Sequence, residues 1–380
     1  MDAALQQITD RVHEAAARGT PLRIRGGGSK DFYGQTLQGE LLDTTPLRGI
    51  TSYEPSELVV TVRAGTPLAE LEAALADQGQ CLPFEPPHFA LQTAAHATVG
   101  GMVAAGLSGP ARASVGGVRD YMLGVQLLNG RAEHLTFGGQ VMKNVAGYDV
   151  SRLMAGSMGT LGLITEVSLK VLPVAPAEAT LVFELNQSEA LAQLHRWGRQ
   201  PLPLNASCWV HDDAAAQDLL FVRLRGAIAA VESASKTMVQ QAAGKRMDNA
   251  VAAPDWQACR DLRLPFFTHP PEASMALWRL SVAQTAPPLD LPWPQLVEWH
   301  GALRWLWAPL DAAARVRDAA SQANGSASVF IANYTHFTRA TSQFDTFPAV
   351  KPPLEGIHGR LKAEFDPADI FNRGRLFRAP

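Results

Sequence analysis

Apolar residues recur along the chain with two periods, and the switches between them mark out its elements. Leu5, Ile8 and Val12 stand at helical spacing near the start and predict a first helix. Pro21 to Arg25 reads as a short strand running into Gly26, Gly27 and Gly28, and Glu57 to Arg63 as a β-branched strand before Ala64 and Gly65. Thr66, Pro67 and Glu70 then have the form of a helix start: a capping hydroxyl, a proline at the first helical position and a carboxylate in the first turn. That helix continues through Leu68, Leu71, Ala74 and Leu75 and stops at Gly79. Strands at Val125–Leu128 and Leu163–Leu172 complete an α+β layout.

Beyond Pro176 the order becomes strand, helix, strand, strand, helix, at Ala179–Leu185, Glu189–Arg199, Ala206–His211, Leu219–Leu224 and Ala227–Ala243. Further strands are expected at Ala276–Val282, Gly301–Trp307 and Ala327–Tyr334, with a helix at Asp311–Ala323. Consecutive strands with helices between them predict an antiparallel sheet covered on one face. No internal repeat or low-complexity segment interrupts this order.

Composition sharpens the division. Of 31 glycines, 23 precede residue 170, whereas all 8 tryptophans follow it. A glycine-dense half suits backbone-mediated ligand binding, and a tryptophan-rich half suits a large-side-chain core or an interface; two ordinary domains that merely differ in composition are the plain alternative. Trp299, Trp305 and Trp307, with Leu303 and Leu306, read either as core on one strand face or as an exposed patch that another subunit covers. With 380 residues, 47% hydrophobic, the chain can bury more than one core. A net charge of −3 leaves no basic excess for a phosphate backbone or an anionic bilayer, so nucleic acid is not an expected partner.

Cys81, Cys208 and Cys259 are far apart, without the spacing of a zinc or iron–sulfur site, so no metal is expected and buried thiols in a reducing compartment are. The N-terminus lacks the pattern of a signal peptide, and the apolar stretch Thr98–Leu107 is about half the length of a spanning helix. The expectation is a cytoplasmic protein, with any peripheral attachment to the inner membrane made through partners.

Four glycine-rich runs carry the candidate chemistry. The first, Arg25-Gly26-Gly27-Gly28-Ser29, follows a strand, and three glycines let successive N–H groups curl around one anion; a simple glycine turn between strands is the alternative. The second runs from Thr98 through Gly100, Gly101 and Gly106 to Ser108, Gly109 and Pro110, with Arg112, Gly116 and Gly117 beyond. Small residues at that density admit close approach by a bulky ligand, or tight helix packing. The third is Phe137-Gly138-Gly139 and Lys143 to Asp149; the fourth, Gly156 to Thr165, enters a strand. No GxGxxG opens a helix after a strand and no GxxxxGK[ST] occurs, so neither a Rossmann fold nor a P-loop accounts for them.

These four blocks, in this order, resemble the FAD domain of the vanillyl-alcohol-oxidase, or PCMH-type, flavoproteins over about residues 20–172. The chain is most similar to the GlcE family, the FAD-binding subunits of bacterial glycolate oxidase, through Lys143-Asn144-Val145-Ala146-Gly147-Tyr148-Asp149 and the late stretch Leu361 to Pro367. The resemblance implies a PCMH-type FAD-binding domain of two α+β subdomains over residues 1–175. An antiparallel-sheet cap domain with covering helices, like the C-terminal part of FAD-linked oxidases, would span 176–345, and residues 346–380 would return to the flavin domain. It implies FAD as cofactor: Arg25, Gly26, Gly27, Gly28, Ser29, Gly100 and Gly101 would bracket the diphosphate, and Gly159, Leu161 and Ile164 would lie near the adenine half. Ser108, Gly109, Arg112 and Gly116 would line the run toward the flavin ring, and Asn372 and Arg375 would close the site from the C-terminus. There the family's Asn-Pro-Gly-Lys is Asn372-Arg373-Gly374-Arg375, which keeps the charge without the proline.

Relatives with covalent flavin have a histidine directly after the first glycines, where this chain has Ser29, so non-covalent FAD is expected, with His88 and His96 the alternatives for a covalent link. The histidine-rich motif of catalytic relatives, among them the companion D-type subunit of glycolate oxidase, is absent, and no residue of the second half stands out as catalytic. The implied function is therefore an FAD-dependent 2-hydroxy-acid oxidoreductase acting as a complex subunit. It would serve glycolate oxidation as an electron relay or support beside the flavin-bearing D-type and iron–sulfur F-type subunits of glycolate oxidase. A self-sufficient oxidase of another hydroxy acid or alcohol, and a structural subunit without catalysis, are the alternatives.

Overall fold

The computed structural model describes residues 2–35, 38–89, 95–139, 149–212, 216–332 and 344–376. The first helix, Ala3–Arg18, is capped by Asp2, whose carboxylate accepts from Leu5 N, and ends in left-handed Gly19. Its buried Ile8, Val12 and Ala15 cover the parallel strand pair Leu22–Arg25 and Glu40–Asp43. On the free side of Leu22–Arg25 the C-terminal segment is laid in parallel, through Leu22 N to Ile370 O at 2.7 Å and Asn372 N to Leu22 O at 3.0 Å.

Five antiparallel strands form the second unit, in the order Ile50–Glu54, Val59–Arg63, Leu163–Lys170, Met122–Leu128 and His134–Gly138. Leu68–Ala76 and Val99–Ala105 pack on it through Leu68, Leu71, Leu75, Met102 and Val103. The helix predicted to start at Thr66 begins at Leu68 and has no side-chain cap. The Thr66 hydroxyl is taken up elsewhere, accepting from Gly49 N at 2.9 Å, because the chain turns back on that loop before the helix begins.

A second, eight-stranded sheet is antiparallel throughout. It runs from Lys245–Arg246 through Ala177–Glu184, Gln217–Gly226, Leu204–Asp212, Gln295–Glu298, Leu303–Ala308 and Ala276–Ser281 to Ser326–Ile331. Alternation along each strand divides its side chains between two layers. Ala179, Leu181 and Phe183 meet the helices Gln187–Trp197 and Ile228–Ala242, while Trp278 and Leu306 meet Ala313–Gln322. The sequence predicts cover on one face only, and the structure covers the other as well. Leu277, Trp305, Trp307 and Phe330 form a core there with helix Asn249–Arg260 and with Phe32, Tyr33, Phe89 and Leu107 of the first half. Trp299, Trp305 and Trp307 are all buried, so they are core. Among the described residues no helix is long and apolar enough to cross a membrane.

Candidate cofactor site

Strand Leu22–Arg25 delivers the three glycines to a close contact with the chain around residues 96–98. A Cβ on Gly26 would stand 2.3 Å from Thr98 Oγ1 and one on Gly27 2.1 Å from His96 O, so neither position admits a side chain. Gly28 has φ +79°, which only glycine adopts without strain. Thr98 in turn caps the helix Val99–Ala105, accepting from Gly101 N, so the two small-residue runs meet edge to edge. Between them lies a cavity of about 320 Å³.

This cavity gathers eleven of the sixteen residues expected from the sequence: Arg25, Gly26, Gly27, Gly28, Ser29, Gly100, Gly101, Gly159, Ile164, Asn372 and Arg375. Asn372 reaches it as a clasp. Its Oδ1 accepts from Ile24 N at 2.8 Å and its Nδ2 donates to Met158 O at 2.7 Å, joining the first strand to the fourth glycine run. Gly159 makes room for it, since a Cβ there would stand 2.6 Å from Asn372 Nδ2. The turn forms without the family's proline: Arg375 N donates to Asn372 O at 3.0 Å, with left-handed Asn372 and Gly374. Arg375 is buried and donates to Gln35 O and Lys30 O.

The other five residues lie apart from this cavity. Leu161 borders a separate one of about 800 Å³, beside helix Leu354–Phe365. Ser108 and Gly109 line a small chamber of about 20 Å³ against the second sheet, with Arg279, Glu298, Cys259 and Trp305. Arg112 is exposed and stacks over the Trp299 ring at 4.6 Å. Gly116, at φ +89°, shapes a turn in which Asp120 accepts from Gly117 N at 2.9 Å. Of the third run, residues 140–148, including Lys143 to Tyr148, lie outside the described residues.

Several residues of these sites escape the sequence reading. Lys30 lines the 320 Å³ cavity beside Ser29, and burial brings its ammonium from its usual 10.5 down to about 8. In the small chamber, burial raises the Glu298 carboxyl to about 7, although it accepts from Trp305 Nε1 at 2.7 Å and from Cys259 Sγ at 3.2 Å. His300 is buried between Ser114 and Ser207, and loss of solvent lowers it to about 4, so it is neutral at pH 7. A signal for Arg279 and Glu298 exists in the sequence: each is a lone charge in an otherwise uncharged strand, Ala276–Ser281 and Gln295–Glu298. Cys208 and Cys259 are buried as expected, whereas Cys81 is only half-buried. No cluster of metal-ligating side chains occurs among the described residues.

Two glycine turns and the cations Arg25, Lys30 and Arg375 around a cavity in which a Cβ finds no space suit an anionic, elongated ligand held mainly by backbone. That fits the diphosphate of FAD. The FAD binding domain family matches residues 3–151. A solved structure of alkyldihydroxyacetonephosphate synthase shares the fold, with TM-score 0.64 over 97% of this chain and 75% of its own at 16% identity. Fold, cavity and family match together define an FAD-binding protein.

Within that class the relationship is close. Glycolate oxidase subunit GlcE of Escherichia coli (strain K12) is 42% identical over 372 residues, 98% of this chain and 97% of its own length. Glycolate oxidase subunit GlcD of Bacillus subtilis (strain 168) is 29% identical over 175 residues, 46% of this chain and 36% of its own. The chain belongs to the family of glycolate oxidase subunit GlcE.

Proposed function

We propose that this chain is the FAD-carrying GlcE-type subunit of a glycolate-oxidising complex, working beside a flavin-bearing D-type subunit and an iron–sulfur F-type subunit. The observation that carries this is likeness along nearly the whole length to a relative named as a glycolate oxidase subunit, together with the glycine-lined cavity. The sixteen site residues named from the sequence are proposed to line the FAD site, those of the 320 Å³ cavity at its diphosphate, with Ser108, Gly109, Arg112 and Gly116 on the run toward the flavin ring. FAD is held without a covalent bond, since Ser29, which accepts from Lys30 Nζ at 3.2 Å, takes the place of the linking histidine. The chain is organised as a flavin domain over residues 1–175, a cap over 176–345 and a returning segment over 346–380. It works on the cytoplasmic side, attached to the membrane only through partners.

Its flavin relays electrons or supports the complex, and the D-type partner is the first to react with glycolate. The histidine-rich motif of catalytic relatives is absent from this sequence, which is the reason for that assignment. The test is the visible spectrum of the purified chain, before and after anaerobic addition of glycolate, and then with the partner subunits. A yellow protein that glycolate bleaches only in the complex, and whose flavin is released by acid, is expected. Bleaching of the isolated chain would remove the relay role, and a colourless chain the cofactor role.

A further inference from the structure

Arg279 is a half-buried cation in an apolar layer, with no ion pair among the described residues. Its strand, Ala276–Ser281, sends Trp278 and Leu280 to the helix-covered face and Leu277 and Arg279 to the face that meets the flavin-binding half. Around it are Trp299, at 5.1 Å from its guanidinium carbon to the ring centre, and Trp305, at 5.9 Å. No ion pair or hydrogen bond of the Arg279 side chain is found among the described residues. Glu298, a carboxylate lining the same chamber, is taken up by Trp305 and Cys259 instead. A second guanidinium, Arg112, stacks on the same Trp299 ring and likewise makes no ion pair among the described residues.

A charge withdrawn in part from water loses some of its hydration, and stacking on aromatic rings offsets only part of that cost. A guanidinium held this way lacks a planar, two-oxygen acceptor. Ser108 adds an unsatisfied group: its hydroxyl is buried, belongs to a residue lining the chamber and has no hydrogen-bond partner among the described residues. The chamber, about 20 Å³, has room for roughly one water, so it excludes bulky acids.

We propose that Arg279, with Ser108 lining the same chamber and Arg112 stacked on the same Trp299 ring, is the recognition site for the carboxylate of a small 2-hydroxy or 2-oxo acid. The inference rests on the functional reading above for the class of acid. It deepens that reading by giving this subunit its own binding site for substrate or product. Binding alone is claimed, and no bond is made or broken.

The test uses the full chain with its FAD and oxalate, a two-carbon acid that cannot lose hydride, titrated by calorimetry and by tryptophan fluorescence, which Trp299 and Trp305 should report. Oxalate should bind the natural chain. Arg279→Met should weaken it ~10-fold or more, the scale of one or two hydrogen bonds to a charged group. Arg279→Lys should fall between, because lysine keeps the charge and loses the fork. Glycolate and glyoxylate, titrated in the same way, separate substrate from product. Absence of oxalate binding to the natural chain overturns the proposal. So does binding within about twofold by an Arg279→Met or Arg279→Lys chain that keeps its melting temperature. A yellow chain that supports glycolate oxidation in the complex but ignores oxalate would sink this inference alone. A colourless chain would sink the functional reading, and oxalate titration of that chain would still decide Arg279.

Discussion

At the scale of single residues, Lys30 shows how burial prepares a site. It lines the 320 Å³ cavity with no carboxylate bonded to its ammonium among the described residues, and loss of solvent brings its pKa to about 8 against a weaker opposing pull from Asp261. The sign of the consequence is definite. Without ligand, the folded chain releases this proton near pH 8 while the unfolded chain holds it to about 10.5, so this group makes the apoprotein more stable as pH rises across that window. FAD affinity should move the other way, since a dianionic diphosphate favours the charged lysine and loses that partner as pH passes 8. Titrating FAD by flavin fluorescence from about pH 6.5 to about pH 9.5 should show affinity falling above pH 8. Lys30→Met should weaken FAD ~10-fold at pH 7, the scale of one charge-assisted hydrogen bond, and flatten the profile. An unchanged profile in the variant would mean that Lys30 does not meet the cofactor.

At the scale of elements, the C-terminal segment is the part that closes the glycine-lined cavity. Asp366 is buried and accepts from Ile370 N at 3.1 Å and Phe371 N at 2.8 Å, while Lys362 Nζ bridges it to Thr160 O and Phe371 O. That geometry accounts for the late stretch Leu361 to Pro367 that carries part of the family resemblance: it aims the segment bearing Asn372 at the first strand. Asn372→Ala would leave Ile24 N and Met158 O without their present partners. The expected cost is about 2–4 kcal/mol, from two unmade hydrogen bonds at a buried site. Denaturant unfolding with and without FAD measures it, and a loss under about 0.5 kcal/mol would show the clasp to be dispensable.

The same elements show what the sequence could and could not reveal. Six strands of the second sheet were legible because β-branched and aromatic residues are dense in them, as in Ala177–Glu184 and Leu303–Ala308, whereas the short strands Lys245–Arg246 and Gln295–Glu298 were not. Helix Asn249–Arg260 was not, because Pro254 stands inside it and a proline reads as a break. Helix Leu354–Phe365 buries only Phe365, so no apolar face betrays it. The glycine loops were readable as places of close backbone approach. The Arg279 chamber was not, since its walls come from strands and loops far apart in sequence and only folding brings Ser108 to Glu298.

At the scale of the whole molecule, the two halves are tied by a buried ion cluster as well as by the aromatic layer. Glu85, from the flavin-binding half, meets Arg223 Nη2 at 2.6 Å and Arg225 Nη1 at 3.3 Å on the second sheet, and accepts from Ala111 N at 3.1 Å. Arg223 is 3% exposed and also donates to Asn205, so it cannot turn to water if Glu85 is lost. Burial pushes the Glu85 carboxyl up, but Arg223 and Arg225 outweigh it and hold the group below its usual 4.5. A carboxylate depressed in the fold contributes stability above its unfolded pKa and loses it as pH falls through the folded one. The tie should therefore hold at neutral pH and weaken below about pH 4.5. Glu85→Leu should cost about 3–5 kcal/mol, because it strands a buried guanidinium rather than merely removing a pair. Melting curves from about pH 3 to about pH 7 should show the natural chain and the variant converging at the acid end. If they stay parallel, the two halves are held by the layer of Phe32, Phe89, Trp305 and Phe330 alone, and the placement of Arg279 between them owes nothing to the ion cluster.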